Sequence, residues 1–328
     1  MHTTSRPRGL LTALAGLSLV LGGTLAVSPA AAQSAVAAPV AAGDVAAASE
    51  VAAVSAAITP EPSKATRDVP AYYSERSTLA PWVGRPCHGK AVTSNAVVCE
   101  YGRASSSAYT IALVGDSKMG QYAAAFIRIA HARGWRVLII TKSACSFTDA
   151  EIDRDGAPYT TCNAWNRSAL KALQRHQPDL VVTNQATSTG RLPGDTASSA
   201  SSMERGLASR WRTLQGMGIP VVVVLDNPPS PAGDVYPCVA KHPTQPWRCN
   251  FSAVSGTAKV QQRAADRVGG VGVVNLRPTL CPGGVCRAVF DRVLVYRQGS
   301  HLTNTYVKTI TSTIATKLDA ARKVATAQ

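Results

Sequence analysis

Five short apolar runs constrain this chain more than any other feature. They occupy residues 109–114, 135–140, 179–183, 220–225 and 271–276, and four of them show no alternation of polar and apolar side chains. A strand with one wet face alternates; a strand apolar throughout is covered on both faces, as in a parallel sheet. Between the runs lie segments with helical apolar spacing: 118–133, 166–176, 203–217, 256–268 and 303 to about 324. Gly134, Pro178 and Gly218 punctuate the first three. Strands alternating with helices predict an α/β fold, a three-layer α/β/α sandwich around a mostly parallel sheet. Ligands of such sheets bind beyond the carboxyl ends of the strands. The residues that close each strand are therefore the candidates for chemistry.

The N-terminus divides the chain. Arg6 and Arg8 precede an apolar stretch over 10–27, and Ala30, Ala31 and Ala32 offer a cleavage site before Gln33. This is the pattern of an export signal over residues 1–32. A retained membrane helix is the alternative, against which Ser28 and Pro29 break the run. Residues 33–80, rich in Ala, Val, Ser and Pro, read as a flexible leader, and 81–328 as the domain. No other stretch approaches the roughly 20 apolar residues of a membrane span, so no stable membrane insertion is expected after cleavage.

All eight cysteines follow the signal. An even number in an exported chain predicts disulfides. Pairing of neighbours is the simplest arrangement: Cys87 with Cys99, Cys145 with Cys162, Cys238 with Cys249, and Cys281 with Cys286. A zinc site is the rival, but the spacing of Cys281 and Cys286 is not a tight knuckle and no second close pair lies nearby. The 34 Lys and Arg against 19 Asp and Glu give a formal charge of +15. Such an excess suits a polyanionic partner. Export and the lack of a basic helix or binding motif exclude nucleic acid, which leaves an anionic cell-wall polymer or acidic glycan.

Three strand ends carry candidate chemistry. The first closes in Gly115-Asp116-Ser117, and Ser117 then opens a helix whose N–H groups favour a developing oxyanion. The same serine serves equally well as a simple helix cap. The third strand closes in Thr183-Asn184-Gln185; Asn184 either donates to an oxyanion or satisfies the turn. His301 lies in the loop before the last helix, with Thr303 as that helix's cap. It is either a general base or incidental.

Taken in order, these features resemble the SGNH (GDSL-like) hydrolase superfamily, and most closely the SGNH domain fused behind acyltransferase-3 membrane domains in bacterial O-acetyltransferases. The resemblance rests on residues 111–122 (IALVGDSKMGQY), 141–147 (TKSACSF), 162–166 (CNAWN), 178–182 (PDLVV), 225–231 with Cys238, and 294–306 (LVYRQGSHLTNTY). It implies an SGNH-hydrolase, flavodoxin-like fold. It also implies Ser117 as nucleophile, His301 as general base, Asn184 near the oxyanion-binding asparagine, and a second oxyanion block around Ser143. Asp116 is expected to shape the turn. No cofactor is called for.

Two positions depart from the pattern. The family's Asp three residues before the histidine is Gln298 here. Gln brings no negative charge to imidazolium. Either a backbone carbonyl orients His301 in a Ser–His dyad, or another acid such as Asp291 supplies the charge, or activity is lost. Lys118 stands where the family often has a histidine, and its charge is expected to favour an anionic or carbohydrate-wall substrate. The resemblance implies a secreted or cell-wall-associated serine esterase acting on small acyl, chiefly acetyl, esters of carbohydrate. The alternatives are an O-acetyltransferase with a separate acyl-exporting membrane partner, and an inactive wall-binding domain.

Overall fold

The computed structural model describes residues 57–105, 107–230 and 233–327. The signal assigned to 1–32 and the leader as far as residue 56 lie outside the described residues.

A seven-stranded sheet forms the centre. Its strands are β1 (His88–Gly89), β2 (Cys99–Gly102), β3 (Thr110–Gly115), β4 (Arg136–Lys142), β5 (Leu180–Asn184), β6 (Val221–Val224) and β7 (Gly272–Val274). The order is β1-β4-β3-β5-β6-β7, parallel throughout, with β2 antiparallel beside β4. Every residue of β3, β5 and β6 is buried, which is why these runs carry no polar alternation.

The flanking helices include α1 (Ser117–Gly120), α2 (Ala123–Arg133), α3 (Thr160–His176), α4 (Ala200–Gly216), α5 (Gly256–Val268) and α6 (Thr311–Ala325). Helices α2 and α6 pack as one pair and α4 and α5 as another. The fold is the expected mostly parallel sheet flanked by helices. The helix predicted over 118–133 is two, separated at Gln121 and Tyr122. Its first turn is pressed so closely against Tyr72 that a Cβ on Gly120 would collide with the tyrosine hydroxyl.

Residues 57–80 are part of this folded unit, which corrects the leader assigned to 33–80. Thr59 N donates to Arg292 O at 2.8 Å, and Leu294 N donates to Thr59 O at 2.9 Å. Asp68 receives Asn304 N on its carbonyl at 3.0 Å and Thr305 N on its carboxylate at 2.9 Å. Tyr72 is buried, and its hydroxyl shares a 3.0 Å hydrogen bond with Thr141. The average composition of the segment concealed a few residues that bury well.

All eight cysteines are paired, neighbour with neighbour, as 87–99, 145–162, 238–249 and 281–286. Their sulfurs are thus unavailable to zinc. The first bridge ties the residue before β1 to β2, and the second ties the loop after β4 to α3. No described helix is long and apolar enough to cross a membrane.

Candidate active site

The turn that presents Ser117 is built almost entirely from main chain. Gly115 lies opposite Asn184 in the β3–β5 register. Its φ of 152° and the proximity of the Asn184 carbonyl leave no room for a Cβ. Asp116 then caps α1: one carboxylate oxygen accepts from Lys118 N and the other from Ala186 N, each at 2.8 Å. Burial pushes its carboxyl up to about 6, partly offset by those two amides. Its carboxylate thus ties the start of α1 to the segment after β5. Ser117 is left as the first helical residue, with an amide that has no acceptor inside the helix.

His301 meets this serine from the far end of the chain. Its Nε2 lies 2.7 Å from Ser117 Oγ, and its Nδ1 lies 3.1 Å from the Gln298 carbonyl oxygen. A carbonyl can only accept, so Nδ1 carries the proton and Nε2 accepts from the serine hydroxyl. Burial, then the fields of Lys118 and Arg297, hold the imidazole down to about 3; the Gln298 carbonyl acts in the opposite direction. The ring is therefore neutral at ordinary pH.

The position of the missing acid is thus filled by a backbone carbonyl. The Gln298 side chain is exposed. Asp291 is exposed at the turn of the hairpin 289–294, with φ 45°, and no carboxylate is among the leading influences on His301.

The His301 loop is clamped by side chains from elsewhere. Lys118 is 2% exposed, so it is not the substrate-facing cation its sequence position suggested. Its Nζ reaches Ser300 Oγ at 2.6 Å, Ser300 O at 3.0 Å, Asn227 Oδ1 at 3.2 Å and Asp226 at 3.1 Å, the last as an ion pair. Gln121 Nε2 donates to Asn227 Oδ1 at 3.0 Å, and Gln121 Oε1 accepts from Leu302 N at 2.8 Å. Asn227 Nδ2 donates to Ser300 O, and the Asp234 carboxylate accepts from Gly299 N. Asp226 and Asn227 follow β6, so the strand-end rule could have found them.

Asn184 is fully buried beneath the turn. Its Oδ1 accepts from Gln185 N at 2.6 Å and Gln261 Nε2 at 2.9 Å, while its Nδ2 approaches Lys118 O at 3.4 Å. The side chain is turned into the structure and braces the turn from below. Ser143 sits at the end of β4, where its hydroxyl is 3.1 Å from His88 Nε2 and its N–H donates to Gly89 O at 2.8 Å. His88 stacks on Tyr73 with ring centroids 4.4 Å apart, and the Tyr73 hydroxyl donates to Ser117 O at 3.4 Å. Burial and Arg297 hold His88 down to about 4. Tyr73, His88 and Arg297 thus border the site, although sequence reasoning passed over all three; the Tyr72-Tyr73 pair in an otherwise small-residue segment was the available signal.

Fold and site together define an α/β protein with a serine–histidine pair at the carboxyl edge of a parallel sheet, an arrangement suited to nucleophilic acyl chemistry. The chain belongs to the SGNH family: the model of the SGNH domain fused to AT3 domains matches residues 86–316. Two solved structures are similar to it. The lipopolysaccharide acetyltransferase periplasmic domain of Salmonella ser. Paratyphi A shares 11% identity over 66% of this chain and 85% of its own, with a TM-score of 0.49. A protein of Bacteroides fragilis NCTC 9343 provisionally assigned as an acylhydrolase shares 15% identity over 64% of this chain and 88% of its own, with a TM-score of 0.37. No curated protein matches the chain.

Proposed function

We propose that the protein is an exported serine ester hydrolase that removes small acyl groups, acetyl first among them, from cell-wall or extracellular carbohydrate. The observation that carries this reading is the 2.7 Å hydrogen bond between Ser117 Oγ and His301 Nε2, with Nδ1 held by the Gln298 carbonyl. Ser117 Oγ attacks the ester carbonyl and gives its proton to His301 Nε2. The Oγ–C bond forms and the carbonyl oxygen becomes an oxyanion facing the Ser117 amide. Collapse breaks the ester C–O bond, and the alcohol leaves with the proton from His301. Water then attacks the acyl-enzyme with the same base and releases the carboxylic acid.

Asn184 is a positioning residue in this scheme. A carbonyl stabilises imidazolium less than a carboxylate does, so turnover is expected to be slow. The signal pattern and four disulfides support export to an oxidising compartment. The net charge of +15 supports an anionic polymer as substrate or anchor. The test is release of p-nitrophenol from p-nitrophenyl acetate by the chain lacking residues 1–32. Release that falls to background in Ser117→Ala is expected; folded wild type without release would contradict the proposal.

A further inference from the structure

Arg297 carries a guanidinium with no hydrogen-bond or ion-pair partner among the described residues. The residue is 5% exposed. Among the described residues its side chain makes no hydrogen bond and no ion pair, and its buried Nε is unpartnered. Burying an unpaired cation is costly, and other buried cations of this chain avoid it. Lys118 has oxygen partners on Asp226, Asn227 and Ser300. Lys142 reaches Lys90 O, Ala91 O and Thr161 Oγ1. Arg210 lies 2.7 Å from Asp149.

The position of Arg297 ties this spare cation to the chemistry. Its backbone N donates to His301 O at 2.9 Å, so it stands across the turn from the base. Its field acts on His301 and His88, and also on Tyr73, Tyr72 and Asp68. Tyr73 connects the group to Ser117 through the 3.4 Å bond to the serine carbonyl and to His88 through ring stacking. A planar guanidinium with free donors matches a carboxylate in two parallel hydrogen bonds.

We propose that Arg297, bordered by Tyr73 and His88, is a subsite for a carboxylate on the substrate, beside the ester that Ser117 attacks. The substrate class is then an acylated carbohydrate that carries a carboxylate near its ester. The location of the reacting ester rests on the esterase reading; the capture of the anion does not. A carboxylate seated there would also offset the field that Arg297 places on His301.

The test compares 4-acetoxybenzoate with its neutral isostere 4-acetoxybenzamide on wild type, Arg297→Met and Arg297→Lys. Calorimetric titration with 4-hydroxybenzoate and 4-hydroxybenzamide runs in parallel. Wild type is expected to favour the carboxylate in kcat/KM by about tenfold or more, through KM, and to bind 4-hydroxybenzoate with the same preference. The ratio falls toward one in Arg297→Met. Should that variant not fold in a thermal melt, Arg297→Lys decides, because it keeps the charge but loses the fork and is expected to lose at least about threefold of the ratio. A ratio near one in wild type, or one unchanged in a folded variant, overturns the subsite. Preferential binding of 4-hydroxybenzoate with neither ester cleaved supports the subsite and overturns the esterase reading; cleavage of both without discrimination does the reverse.

Discussion

The two halves of the candidate site are held by different means. Ser117 is placed by eleven contiguous residues, 110–120, that form a buried strand, a glycine turn and a capped helical turn. His301 sits in a loop with little regular structure beyond the Tyr296–Leu302 bridge. Its position depends on Lys118, Gln121, Asn227 and Asp234, which reach it from other parts of the chain. Main-chain geometry is specified locally and is hard to disturb with one side chain. A loop clamped by distant side chains can lose its alignment with a single substitution. The Ser117 turn is therefore the robust half and the His301 loop the fragile half.

Lys118→Met attacks the fragile half most directly. It leaves Asp226 buried without its cation, removes the donor to Ser300 Oγ and leaves the Ser300 carbonyl with Asn227 alone. Breaking a buried pair in this way is expected to cost about 3–5 kcal/mol in a denaturant titration, with kcat down by roughly a hundredfold as His301 loses its alignment. Adding Asp226→Asn should recover much of the stability and little of the activity. Full activity in folded Lys118→Met would erase the contrast between the halves.

Asp116→Ala probes the robust half. It strands the amides of Lys118 and Ala186, which should cost about 1–3 kcal/mol each. The folded fraction is expected to keep more of its activity than Lys118→Met does. Gln121→Leu returns to the loop, where the Leu302 amide loses its acceptor. A loss of about 1–3 kcal/mol is expected, with kcat falling by a larger factor than KM rises.

The pH dependence follows from His301, lowered from 6.5 to about 3. The unfolded chain takes up this proton near pH 6.5, whereas the folded chain takes it up only near 3. The group's contribution to stability is thus complete above pH 6.5 and is lost as pH falls toward 3. His88, lowered to about 4, acts in the same direction. The acid limb of kcat/KM should accordingly fall well below pH 6.5 in a stopped assay. A limb at 6.5 would mean that His301 is solvated or that an acid faces it. Gln298→Ala is the smallest change: it keeps the carbonyl, so kcat should shift by no more than about threefold.

The same contrast governs what was legible in the sequence. The five core strands and the punctuated helices follow from local pattern, and the strand-end rule reached Ser117. The neighbour pairing of cysteines also held, because each bridge closes a short loop. What escaped is long-range. Lys118 resembled a surface cation because Asp226 and Ser300, which bury it, are remote in sequence. Asn184 lies at the expected edge, but whether its amide faced outward depended on Gln261, a residue of α5. The packing of Tyr72 and Tyr73 onto the site was hidden in a segment dominated by small residues.

Ser117 is proposed to act as a nucleophile activated by His301. Fluorophosphonate labelling of the folded protein, followed by peptide mass spectrometry, tests it most directly. The expected result is a single adduct on Ser117 that is absent in Ser117→Ala and strongly reduced in His301→Ala. No adduct on folded wild type, or an adduct indifferent to His301, would contradict it.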